Sequence, residues 1–183
     1  MSNTATTTTP RAHHSNAPQG TEKTHTLIIL VQDRPGSVDR VVGVLRRRRS
    51  MLQSLSIAPG TQSEMFRITA QVKDAEVVVD HLVAQIQKVV DVQQVANVSP
   101  AQAITRELAV IQVETANADS NAIISTGEPF GAVVIDATPE AVTLEVTGDA
   151  AKIAEALAAF QQYGIRDVAR SGPVALARDA ATK

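Results

Sequence analysis

Apolar positions recur along this chain with two alternating periods, and the alternation spells a βαββαβ order. Residues 25–31 (His-Thr-Leu-Ile-Ile-Leu-Val) end in a nearly continuous apolar run, which suits a central strand. Val38, Val41, Val42 and Leu45 then fall at i, i+3, i+4 and i+7, one stripe along a helix. Residues 52–58 read as a strand, Pro59-Gly60-Thr61-Gln62 as a hairpin-like break, and residues 65–72 as a strand alternating through Ile68, Ala70 and Val72. A second helical stripe runs through Val78, Leu82 and Ile86, with Val79 and Val83 beside it, and residues 90–98 return as a strand. This split-βαβ order folds as an antiparallel sheet with both helices on one face.

After Ser99-Pro100-Ala101-Gln102 the pattern starts again. Residues 108–113 predict a strand, and residues 133–136 and 142–146 a hairpin about Thr138-Pro139. Gly148-Asp149 opens a helix through Ile153, Leu157 and Phe160; Gly164 stops it, and residues 165–169 return as a strand. Each unit closes with a helix, a turn and an Asp-Val pair (Asp91-Val92 and Asp167-Val168), the echo of a degenerate repeat. A helix is due between Val113 and Val133. The breakers Asn117-Ala118-Asp119-Ser120-Asn121 and Thr126-Gly127-Glu128-Pro129 leave room for a single turn at most. The expected fold class is therefore α+β: a ferredoxin-like βαββαβ domain at 24–99, then a second, degenerate ferredoxin-like unit at 104–178. Residues 1–23 hold Thr, Ser, Asn, Pro and His without apolar periodicity and are expected to be a disordered tail, with a short second tail at 179–183.

Composition narrows the chemistry. Of the 183 residues 44% are hydrophobic and 2% aromatic, so the core must be aliphatic, and stacking platforms for bases are not expected. A net charge of −2 disfavours nucleic acid and anionic membranes as partners. The lack of Cys excludes disulfides, thiolate metal ligands and thiol catalysis. No apolar run approaches the roughly 18 residues of a membrane span, and residues 1–23 lack the apolar core of a secretion signal, so a cytoplasmic protein is expected. No Walker-type loop, no Gly-x-Gly-x-x-Gly run and no catalytic constellation is present. His13 and His14 lack a spaced third metal ligand, and His81 lies off its helix's apolar stripe. Asp74, Glu76 and Asp80 suit the start of a helix, and the arginines at 46–49 suit a helix C-terminus.

The candidate site is the turn Asp33-Arg34-Pro35-Gly36-Ser37. A strand running through a Pro-Gly turn into a helix presents free N–H groups and the positive end of the dipole beside the strand end, where a small carboxylate can sit. That is the pocket of a sensor rather than a site for bond making.

Within a βαββαβ unit this turn resembles the ACT domain, a module that binds amino acids. Further motifs sharpen the likeness: His25-Thr26-Leu27, Gln53-Ser54-Leu55, Phe66-Arg67-Ile68-Thr69, Arg106-Glu107-Leu108, and Gly164-Ile165 through Ala175-Leu176-Ala177-Arg178. Together they resemble the regulatory small subunits of acetolactate synthase over residues 24–178. The resemblance implies a homodimer paired through its first units that binds a branched-chain amino acid at that interface. It implies activation of a large catalytic subunit carrying thiamine diphosphate, magnesium and FAD, with no cofactor and no catalytic residue of the chain's own. Carried over by motif, the effector-binding positions are Asp33, Pro35, Gly36, Ser37 and Met51. The family usually has Asn where this chain has Asp33, Gly where it has Arg49, and Asn where it has Met51. A carboxylate at Asp33 repels an effector's carboxylate, and Met51 offers no N–H or carbonyl group to its polar end. A weakened or altered valine response is the expectation. The alternative is a free-standing ACT-type sensor serving another enzyme or a transcription regulator.

Overall fold

The computed structural model describes residues 21–47, 52–116 and 119–178. The first apolar run forms strand β1 (Lys23–Gln32), followed by helix α1 (Ser37–Arg46), strands β2 (Leu52–Pro59) and β3 (Met65–Asp74), helix α2 (Glu76–Gln87) and strand β4 (Val92–Val98). The four strands form one antiparallel sheet in the order β2-β3-β1-β4. Period-2 alternation sends Leu27, Ile29 and Val31 of β1 to the face that Ile68, Ala70 and Val72 of β3 share, and all six are fully buried. Val41, Val44 and Leu45 of α1 and Val79, Leu82 and Ile86 of α2 close over them as one core. Each such aliphatic side chain contributes about 1.5–3 kcal/mol by leaving water. In α1 the buried stripe takes Val44, and Val42 stays half-buried, a small rotation from the stripe read in the sequence.

The second unit runs β5 (Ala103–Glu114), α3 (Ser120–Gly127), β6 (Val133–Ala137), β7 (Ala141–Gly148), α4 (Ala150–Phe160), β8 (Ile165–Arg170) and β9 (Val174–Ala177). Its sheet has the order β6-β7-β5-β8, which repeats that of the first, and β9 pairs with β5 as an addition. Ala109, Ile111 and Val113 of β5 meet Val142, Leu144 and Val146 of β7 under Ile123, Ile153, Ala156 and Phe160. Asp149 caps α4, its carboxylate accepting from the Lys152 N–H at 2.9 Å.

The single turn expected between Val113 and Val133 is corrected. An eight-residue helix, α3, stands there, continued by a 3₁₀ turn at Glu128–Phe130. Tertiary packing overrides the breaker composition. Ile123 is fully buried against Phe160 and its neighbours, and Thr126 Oγ bonds both the Ala122 carbonyl (2.9 Å) and the Tyr163 hydroxyl (2.8 Å). Gly127 ends the helix at a crossing so close that an added Cβ would lie 2.7 Å from Ala132 Cβ. The second unit thus has its full βαββαβ complement.

Strand β9 lies outside any element read in the sequence, and it ties the units together. It pairs with Ala103–Arg106, the first part of β5, while Glu107–Glu114 pair with β7. One side of this β5–β9 ribbon rests on the helix-free face of the first sheet, where Ile28, Val98, Ala103 and Ala175 form a small third core. Arg67 of β3 donates from Nη2 to the Ala175 carbonyl at 2.7 Å. Among the described residues no helix is long and apolar enough to cross a membrane.

Candidate functional site

The turn between β1 and α1 is built as its residues require. Gly36 sits at φ 76°, ψ 3°, the left-handed region that only glycine enters without strain, and the chain reverses there into the helix. The Ser37 N–H donates to the Arg34 carbonyl at 3.0 Å, and the Arg34 N–H lies 3.4 Å from Ser37 Oγ. Ser37 is buried. The first helical N–H and the serine hydroxyl therefore close the turn on itself, so donors for an effector must come from farther along the helix start.

A buried carboxylate supports this turn from below. Asp91, between α2 and β4, is 4% exposed and faces two arginines: Arg40 of α1, hydrogen-bonded to Oδ2, and Arg34 of the turn, at 3.8 Å from Oδ1. Its carbonyl accepts from the Gln32 N–H at 2.9 Å, and the Asp33 N–H donates to the Glu64 carbonyl at 2.8 Å. The end of β1, the helix start and the entry to β4 are thereby locked together. A cavity of about 230 Å³ adjoins the turn, lined by Gln32, Asp33 and Arg34, the loop residues Gln62 to Met65, and Gln93. Of the expected positions, Asp33 lines this cavity; Pro35, Gly36 and Ser37 do not. Asp33 is exposed. Met51 and Arg49 lie outside the described residues, as do His13, His14 and residues 1–20 of the tail.

The sequence showed Asp91 only as half of a repeat. Its counterpart Asp167 is exposed and accepts from its own neighbour's N–H, Val168, at 2.8 Å, so the echo is positional and only the first aspartate carries structure. A second buried carboxylate went unread: Glu107 of β5, 4% exposed at its side chain, is paired with the half-exposed Arg170 of β8. They border a cavity of about 450 Å³ between the units that is also lined by Gln53, Ser54 and Gln71 of the first sheet. The remaining candidates have ordinary roles. Asp74 accepts from the Ala75 N–H, Glu76 pairs with Lys23 at 2.7 Å, His81 is exposed, and Arg46 and Arg47 are exposed at the end of α1.

Two four-stranded βαββαβ layers, the first opening on a Gly36 turn beside a small polar cavity, define an ACT-type protein with a second unit attached. Residues 33–95 match the ACT domain model, and residues 106–179 match the model described as the small subunit of acetolactate synthase. The acetolactate synthase small subunit of Mycobacterium bovis is 33% identical over 156 residues, spanning 85% of this chain and 93% of that protein. The probable acetolactate synthase small subunit of Methanothermobacter thermautotrophicus is 31% identical, over 87% of this chain and 95% of that one. Small subunit 2 of Arabidopsis thaliana, a chloroplastic protein, is 34% identical, but the chain spans 33% of its length. The crystal structure of the acetolactate synthase small subunit of Thermotoga maritima superposes with a TM-score of 0.78 at 26% identity, covering 85% of this chain and 98% of that one. The chain belongs to the acetolactate synthase small-subunit family.

Proposed function

We propose that this chain is the non-catalytic regulatory subunit of an acetolactate synthase, which binds and activates a large catalytic subunit in the cytoplasm and carries feedback from branched-chain amino acids to it. The observation that carries this reading is that the likeness runs through both units and the junction between them, and not through the ACT-like unit alone. In the proposed division, residues 24–99 pair into a homodimer and receive the effector, while residues 104–178 face the catalytic partner. Feedback of this kind is a coupling free energy between two sites, typically about 1–3 kcal/mol.

The response to valine is proposed to be weakened or altered. Asp33 places a carboxylate on the cavity beside the turn, and the Ser37 N–H is engaged by Arg34, so an incoming carboxylate meets repulsion and one donor fewer. The deciding experiment is reconstitution with the large subunit, following acetolactate formation with and without valine, leucine and isoleucine. Stimulation of the large subunit by a chain that is inert alone is the expected result. Turnover by the isolated chain, or an unchanged rate on mixing, would overturn the reading. Valine binding in the micromolar range by calorimetry would remove the weakened response and leave the rest standing.

A further inference from the structure

The β5–β9 ribbon wears its side chains the wrong way round for a strand pair that only had to bury itself. Its inner side presents small residues, Ala103 and Ala175, exposed by 6% and 3% against the first sheet. Its outer side presents large apolar ones: Ile104 is 45% exposed, Val174 53% and Leu176 62%. The register puts them together. Ile104 pairs with Leu176 and Val174 with Arg106, and residues two apart on a strand share a face. Arg106 and Arg178 therefore border the apolar trio on that same face, and both are exposed. Neither has a carboxylate partner among the described residues; the Arg106 guanidinium donates to the neighbouring Thr105 carbonyl. An apolar centre with a charged rim is the anatomy of a protein interface.

We propose that this outer face is the docking surface for the catalytic subunit, and that the occupant is an apolar patch bordered by carboxylates. The proposal rests on the reading above that the chain serves such a subunit. Charge complementarity selects the occupant. A second copy packed on this face by a two-fold axis would bring arginines toward arginines, and the ribbon itself offers no exposed acid to offset them. The face also continues into a cleft of about 530 Å³ that runs from Leu176 and Gln102 onto Ile28 and Leu30 of β1, beside Arg67. A partner seated there touches the strand that leads to the effector turn as well as the second unit, so one contact spans both ends of the regulatory path.

The test is calorimetric titration of the full chain with its catalytic subunit. Leu176→Asp should weaken binding about 30-fold or more, the loss expected of a central apolar anchor. Arg106→Glu should weaken it about tenfold, with the difference from wild type shrinking as salt rises. Val133→Asp, on the exposed β6 strand of the other edge, should leave affinity within about twofold. Circular dichroism checks folding, and if Leu176→Asp fails to fold, Arg106→Glu at its exposed site decides. Wild-type affinity in the folded variants overturns the proposal, as does loss of self-association with affinity retained, which would assign the face to a second copy. A wild-type chain that binds no catalytic subunit overturns the functional reading itself, a result distinct from either.

Discussion

Arg170 grips the carboxylate of Glu107 as a fork, with Nε to Oε1 at 2.5 Å and Nη2 to Oε2 at 2.9 Å, at the rim of the cavity between the two units. The hydrogen bond to Glu107 raises the arginine above its ordinary value, against the opposing effect of burial. A raised value means that the stabilisation is complete below the unfolded-state value and fades only as pH climbs through the folded-state one. Both lie far above neutrality, so the arginine adds no slope to stability through the neutral range. Removing the arginine is another matter. Arg170→Ala strands a buried carboxylate, and a loss of about 2–3 kcal/mol in urea unfolding is expected, at or below the bottom of the range for a fully buried pair because the guanidinium is half-exposed and water can reach the gap. Arg170→Lys keeps the charge but loses the fork, for about 1–2 kcal/mol.

Asp91, a second buried carboxylate, pairs with Arg40 beneath the turn between β1 and α1. Arg40→Ala leaves Asp91 with Arg34 at 3.8 Å as its remaining cation, and should cost about 2 kcal/mol. Arg34→Ala, which removes the longer contact of a more exposed side chain, should cost under about 1 kcal/mol. If the two arginines prove equivalent in denaturant melts, the hydrogen-bonded geometry assigned to Arg40 is wrong.

Gly127→Ala tests the helix that the breaker composition concealed. The new methyl would meet Ala132 Cβ at 2.7 Å and Phe160 Cζ at 3.3 Å, so the second core must shift. A destabilisation of about 1–3 kcal/mol is expected, as for other overpacked sites, despite alanine's better helix propensity. A stabilised variant would mean that the crossing is looser than described.

At the start of β1, Lys23 holds the Glu76 carboxyl below its ordinary value, first by a hydrogen bond and then by its charge. A lowered carboxylate contributes stability that is present above the unfolded-state value and lost as pH falls through the folded one. The pH dependence therefore lies on the acid side of 4.5, and the contribution is present in full at neutrality. In an NMR titration, Lys23→Met should move the Glu76 midpoint upward; an unmoved midpoint would show that the pair is not formed in solution.

Asp33→Asn removes the carboxylate from the turn cavity while preserving its shape. Valine binding, measured by calorimetry, should tighten about fivefold, the size of a like-charge contact near an exposed surface. No change would place the effector away from this turn.

Much of this architecture was open to reading from apolar spacing. The first βαββαβ unit, and the second apart from its first helix, announce themselves because their cores are aliphatic and their strands and helices keep different periods, as at Leu27, Ile29 and Val31 against Val79, Leu82 and Ile86. What resisted reading depends on partners remote in the chain. Helix α3 is held by Phe160 and Tyr163, which no local window contains. Strand β9 is short, with alanines where a buried strand would show large residues, and its reason for existing is β5, some 70 residues earlier. The turn was visible through Pro35-Gly36, but the aspartate and arginines that brace it are brought together only by the sheet. The wiring of the Ser37 N–H into the turn is a matter of backbone geometry, which residue type alone leaves open.

Because a single twelve-residue strand, β5, begins in the ribbon clamped to the first sheet and ends in the heart of the second, the molecule has no slack joint at its waist. A displacement of the first sheet is therefore expected to reach the second core along paired strand, with no linker between them to take it up.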